Sequence, residues 1–100
     1  MTVILRLVGY RQSQLLAEGR RAAFFTRLSL QPGERLRIWL EEHARWVNAV
    51  VVDRRRPSTR VLEELLPHTG FESVDEWIRW EEDRAGGSLP GWIIVVEPEG

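Results

Sequence analysis

The pattern of apolar and polar positions changes character several times along this chain, and each change marks an element. Val3, Ile4, Leu5, Leu7 and Val8 form a run broken only by Arg6, which predicts a strand over Thr2–Val8. Tyr10–Glu18 predicts a short helix. Leu15 and Leu16 supply its buried stripe, and Gly19 stands where a helix-ending glycine belongs. Ala22–Leu28, with Phe24 and Phe25, predicts a second strand, and Gln31-Pro32-Gly33-Glu34 a turn.

The next two segments predict a hairpin. Arg35–Leu40 places Leu36, Ile38 and Leu40 against Arg35, Arg37 and Trp39; Arg45–Val52 places Val47, Ala49 and Val51 against Trp46, Asn48, Val50 and Val52. A loop of Glu41 to Ala44 then pairs Leu40 with Arg45 and Trp39 with Trp46. Leu36, Ile38, Val47 and Ala49 share the core face, and Arg35, Arg37, Trp39, Trp46 and Asn48 the other. A slip of one residue would mix the two sets.

Asp53–Ser58 reads as a polar break. Thr59–Leu66 predicts a helix carried by Val61, Leu62, Leu65 and Leu66 and stopped near Pro67. His68–Phe71 reads as a loop. Ser73-Val74-Asp75-Glu76 is a capping box, so a further helix starts there, burying Val74, Trp77 and Ile78 with Trp80 alongside. The run Glu81-Glu82-Asp83, with Glu76, reads as a solvated helix face. Ala85–Gly91 ends that helix, and Trp92–Glu97 predicts a central strand. The expected fold is α+β: about five strands and three short helices in one domain over 1–100.

Composition narrows the function. An apolar fraction of 43% in 100 residues suits a globular domain. No apolar run approaches the roughly 18 residues a membrane helix needs, and the N-terminal strand does not read as a signal peptide. There is no cysteine, which excludes disulfides and thiolate chemistry and fits a reducing, cytoplasmic setting. All 14 cationic side chains are arginine, so no catalytic lysine is available. Residues 1–60 carry twelve Arg against five acidic residues, a net of +7; residues 61–100 carry two Arg against ten, a net of −8. Such a split gives either a face that attracts anions or two halves that neutralise each other on folding.

Few motifs carry chemistry. His43 and His68 are the only histidines, and no nearby carboxylates stand at metal-ligand spacing, so neither metal nor cofactor is expected. Gly86-Gly87 follows a helix and precedes a strand, the reverse of a phosphate cradle. Two features stand out. One is Gly19-Arg20-Arg21 leading into the strand that carries Thr26 and Arg27, where guanidinium groups suit phosphate or carboxylate. The other is the face of Arg37, Trp39, Trp46 and Asn48, extended by Arg54-Arg55-Arg56. Tryptophan offers bases a stacking surface, arginine a phosphate contact and asparagine a base edge. The same face also reads as a cross-strand Trp pair flanked by solubilising arginines, covered by a helix.

Three stretches carry a family likeness: Leu15-Leu16-Ala17-Glu18-Gly19-Arg20-Arg21, Pro32-Gly33-Glu34-Arg35-Leu36-Arg37-Ile38, and His68-Thr69-Gly70-Phe71-Glu72-Ser73-Val74-Asp75-Glu76-Trp77. Together, in this order, they resemble the ASCH domain, a small member of the PUA-like barrel superfamily. The resemblance implies a β-barrel flanked by helices, a cleft beside the Gly-basic segment, and binding of RNA or a nucleotide-like ligand. It also implies a comparison with members that hydrolyse acylated cytidine through Lys, Thr and Glu. At those positions this chain has Arg21, Phe24 and Thr69, unless a shift of one brings Thr26 and Arg27 nearer the motif.

The expectation is a noncatalytic RNA- or nucleotide-binding module. Arg20, Arg21 and Arg27 would meet phosphate in a cleft with Gly19, Phe24, Thr26, His68 and Thr69; Arg37, Trp39, Trp46, Asn48, Arg54 and Arg55 would add a second surface. The alternatives are a diverged nucleoside amidohydrolase or ribonuclease, and a homodimer or other protein-interaction module built on exposed tryptophan.

Overall fold

The computed structural model describes residues 2–99. Along the chain run β1 (Val3–Leu7), α1 (Gln12–Ala17), β2 (Ala22–Thr26), β3 (Arg35–Leu40), β4 (Arg45–Arg55), α2 (Thr59–Leu65), α3 (Val74–Arg84) and β5 (Trp92–Pro98). The strands form one five-stranded sheet in the order β1-β3-β4-β5-β2. Only β1 pairs in parallel, with β3; the other neighbours are antiparallel. The α+β class is as the sequence pattern predicts. The barrel is not closed: β1 and β2 are the two edges of a curled half-barrel. β5 lies between β4 and β2, and β4 takes the centre expected of it.

Both faces of the sheet are used, unequally. Leu7 of β1 and Phe24 of β2, from opposite edges, join one cluster with Leu15, Leu16, Leu36, Ile38, Val47, Ile94 and Val96. That is the inner face of the curl, with α1 packed in it. On the outer face α2 and α3 pack over β2, β5 and the end of β4, burying Phe25, Val61, Leu65, Phe71, Trp77, Ile93 and Val95. β2 is therefore buried at every position and β5 from Ile93 to Val96, which explains their unbroken apolar sequence. β3 alternates because no helix among the described residues covers its outer side.

The β3–β4 hairpin has the predicted register, with Leu40 opposite Arg45, Trp39 opposite Trp46, Ile38 opposite Val47 and Leu36 opposite Ala49. The connection is one 3₁₀ turn, Glu41–His43, closed by Ala44 in the left-handed region. Beyond the hairpin the structure departs from expectation. β4 does not break at Asp53 but runs to Arg55, passing a bulge in which Val52 is the extra residue between Val51 and Asp53. The bulge resets the alternation. Val52 packs with the outer core, and Arg54, opposite Ile94, falls on the inner side.

The helices follow their local signals. Gly19, at φ +79°, ends α1 in a Schellman turn: the Arg20 amide donates to Leu15 and that of Gly19 to Leu16. Ser58 and Ser73 cap α2 and α3 through bonds to the Val61 and Glu76 amides. Pro67 does not stop the chain's winding, because α2 continues as a 3₁₀ turn, Leu66–His68, with Pro67 inside it. α3 buries Trp77 and Glu81, while Val74 and Ile78 are half-buried. The solvated-face reading of Glu81 is thus corrected: Glu81 is 3% exposed, one turn beyond Trp77 on the same stripe. No helix among the described residues is long and apolar enough to cross a membrane.

Candidate nucleic-acid interface

The outer side of β3 and β4 lies clear of α2 and α3. Trp39 and Trp46, cross-strand partners, meet with ring centroids 5.2 Å apart at an angle of 56°. Trp46 is 43% exposed, so the helix-covered alternative does not hold. Arg37 lays its guanidinium carbon 4.7 Å from the Trp46 centroid, and Asn48 stands opposite Arg37. Ile4 of β1 extends the apolar strip and is 66% exposed. With Leu5, Arg6, Trp39 and Trp46 it lines a shallow groove of about 420 Å³.

One end of this face is electrically quiet. Glu41 accepts Arg6 Nη2 at 2.8 Å and Nε at 3.2 Å, and also the Trp39 indole N–H. These bonds, Arg6 first, hold its carboxyl below the usual carboxylate range, and Glu41 in turn raises the Arg6 guanidinium. Arg37, on β3, has no carboxylate partner among the described residues and carries the free positive charge of the face; Arg45, opposite Leu40, falls on the inner side of the sheet.

The Gly-basic cluster is dispersed. Arg20 pairs with Glu18 at 3.5 Å and Arg21 with Glu97 at 3.4 Å. Arg27 lies past the far end of β2, about 20 Å from Arg21 at strand spacing. Arg20, Arg21 and Arg27 therefore do not share one cleft. Gly19 borders a rim cleft of about 520 Å³ together with Arg45, Trp46 and Asn48, which joins it to the tryptophan face. Arg21 and His68 do come together, lining a cleft of about 250 Å³ with Asp53 and Glu64. Thr26 and Arg27 line a third, with Glu81.

The three positions compared with the hydrolase residues do not converge. Phe24 is buried in the inner core. Thr69 is fully buried near the outer core, donating to the Leu66 carbonyl at 2.7 Å and accepting the Phe71 amide at 3.1 Å. Its hydroxyl is spent on the loop. Arg21 is at the surface, ion-paired with Glu97, apart from the other two.

The arginine run at the end of β4 divides its work. Arg55 pairs with Glu64 at 2.6 Å and Asp53 at 3.5 Å, and Glu64 is the larger cause of its raised pKa. Arg54 and Arg56 each place a guanidinium carbon 3.8 Å from the centroid of Trp92. Both guanidinium groups stack on the one indole. Arg54 also donates to Ser29 at 3.0 Å and Arg56 to the Gly91 carbonyl at 3.4 Å. The sequence pattern places Arg56 in the basic tip but does not join it or Arg54 to Trp92; the stack exists because the bulge turned Arg54 inward.

The charge asymmetry is partly cancelled. Arg11–Glu76, Arg21–Glu97, Arg35–Glu99 and Arg55–Glu64 tie the basic first part of the chain to the acidic second part. Arg27, Arg37, Arg45, Arg54, Arg56 and Arg60 keep no carboxylate partner among the described residues. No grouping of His, Asp and Glu that could hold a metal occurs among the described residues. Compared with known proteins, the chain matches no family model, no curated protein and no solved structure.

Proposed function

We propose that this chain is a noncatalytic module that binds single-stranded RNA or a nucleotide-like ligand on the outer face of β3 and β4. The observation that carries this reading is the uncovered Trp39–Trp46 pair with Arg37 stacked on Trp46 and Asn48 beside it. Aromatic rings on an open sheet stack bases, guanidinium planes extend the stack or meet phosphate, and an amide reads a base edge. The rim cleft at Gly19, lined in part by Trp46 and Asn48, continues the path along β4. The finer identity, an ASCH-type member of the PUA-like superfamily, rests on the three sequence stretches and their order, and the cytoplasmic setting on the absence of cysteine.

Intrinsic fluorescence tests this directly, since Trp39 and Trp46 sit in the proposed contact. Titration with a short single-stranded RNA should give saturable quenching that weakens with added salt, as phosphate contacts do. Trp46→Ala should weaken binding about 5-fold to 100-fold, the worth of one stacked base. Absence of binding at low salt, or binding indifferent to both Trp46→Ala and Arg37→Ala, overturns the reading.

A second reading rests on Ile4 of the edge strand β1 and Trp46 of β4, both exposed and lining one groove across β3. Such a patch suits a second copy of the chain. Sedimentation that is concentration-dependent, and monomeric after Ile4→Arg, would favour it.

A further inference from the structure

We propose a second binding site, for a small organic oxyanion, in the cleft between the end of β2 and the C-terminal half of α3, with the buried Glu81 carboxyl in its floor. The cleft has a volume of about 300 Å³ and is lined by Tyr10, Thr26, Arg27, Glu81, Arg84 and Pro90, with Phe25 and Ala85. It lies apart from the tryptophan face and does not depend on the RNA reading.

The argument starts from the two oxygens of Glu81. Oε2 accepts both the Phe25 amide and the Trp77 indole N–H, each at 3.1 Å. Oε1 has no hydrogen-bond partner among the described residues, and Glu81 lines the cleft. Glu81 is only 3% exposed, and burial raises its pKa above the ordinary carboxylate value. Because Oε2 serves as acceptor twice, the proton of the neutral acid belongs on Oε1. The buried carboxyl then offers the cleft an O–H donor.

The rest of the lining points the same way. Thr26 Oγ1 accepts the Leu28 amide at 3.0 Å, which leaves its O–H to donate. Arg27 is exposed and has no carboxylate partner among the described residues. Arg84 rests on Tyr10, 4.5 Å from its centroid, and spends Nη1 on the Val8 carbonyl at 2.8 Å, so its other N–H groups remain. The charged and titratable groups facing Glu81 are thus Tyr10 before α1, Arg27 beyond β2 and Arg84 of α3; Ala85 and Pro90 bring none. A site made of donors and two cations fits a carboxylate or phosphate group. The volume leaves room for a small body against Tyr10 and Pro90.

Binding through a protonated Glu81 takes up a proton wherever the acid is ionised beforehand. Calorimetric titration with sulfate, which stays dianionic through the range, tests this. Affinity should fall by up to about tenfold per pH unit above the Glu81 pKa. Glu81→Gln keeps an acceptor for Phe25 and Trp77 and turns a permanent N–H₂ donor toward the cleft, so its sulfate affinity should not vary with pH. Arg27→Ala should weaken sulfate about tenfold while keeping the pH slope. Trp46→Ala should leave both unchanged, which separates this site from the RNA face. No sulfate binding near pH 5, equal wild-type affinity at acid and neutral pH, or a slope that survives in Glu81→Gln would overturn the proposal. If Glu81→Gln does not fold, the wild-type slope and the Arg27→Ala loss decide it.

Discussion

Glu81 accepts the Phe25 amide at 3.1 Å, and this bond ties the middle of α3 to the free edge of β2. Two residues earlier, Gln12 of α1 donates to the Ala23 carbonyl at 3.0 Å on the same strand. Ala23 and Phe25 alternate with residues bonded to β5, so both backbone groups face outward. Two side chains from two helices thus replace the missing neighbour strand.

The burial of Glu81 predicts a pH-dependent stability. Burial raises the folded pKa above the unfolded one, so the stabilisation is full below the unfolded pKa, about 4.3, and is lost as pH rises through the folded value. Chemical denaturation of the wild type should show this decline from acid toward neutral pH, and Glu81→Gln should flatten it. Glu81→Ala orphans the Phe25 and Trp77 donors and should cost about 2–4 kcal/mol.

Trp92 should be a stability centre out of proportion to its half-buried position. Trp92→Ala should lower unfolding free energy by about 2–3 kcal/mol, and Arg54→Ala or Arg56→Ala alone by about 0.5–1. In a double-mutant cycle read by urea denaturation, each arginine should couple to Trp92. Equal losses from Arg54→Ala in wild-type and Trp92→Ala backgrounds would show the stack to be idle.

Glu41 should titrate below an ordinary glutamate, because Arg6 and the Trp39 indole both bind its charged form. Arg6→Ala should move its titration back upward, seen by NMR of the carboxyl carbon. The contribution of this pair to stability is present above the unfolded pKa and lost as pH falls through the folded value. Added salt should shrink the wild-type shift.

Gly19 separates a helix-ending role from a ligand-facing one. A Cβ there meets nothing within 4 Å, so Gly19→Ala is opposed only by its φ of +79°. The substitution should cost about 1 kcal/mol in thermal or chemical unfolding, and Gly19→Asn less. A cost near zero would contradict the left-handed geometry.

The β3–β4 hairpin was legible because one of its faces is core and the other open, so its period of two survives in the sequence. β2 and β5 were legible as strands but not by position, since burial on both faces erases alternation. The bulge at Val52 left no mark, because Val50, Val51 and Val52 are one residue type. Without the bulge, the placement of Arg54 on Trp92 cannot be deduced. Glu81 was hidden by its neighbours Glu82 and Asp83, although its spacing from Trp77 and Arg84 was the available signal. The dispersal of Arg20, Arg21 and Arg27 follows from strand length: two ends of one strand cannot serve one small ligand.

The two edges of the sheet set a limit on growth. β2 is stoppered by Gln12 and Glu81, whereas β1, which carries the exposed Ile4, has no such plug among the described residues. A ribbon that can be lengthened on one side only has a natural terminus. Were two chains to join along β1, each would present its stoppered edge to the outside, and the assembly would close at two instead of running on as a fibre.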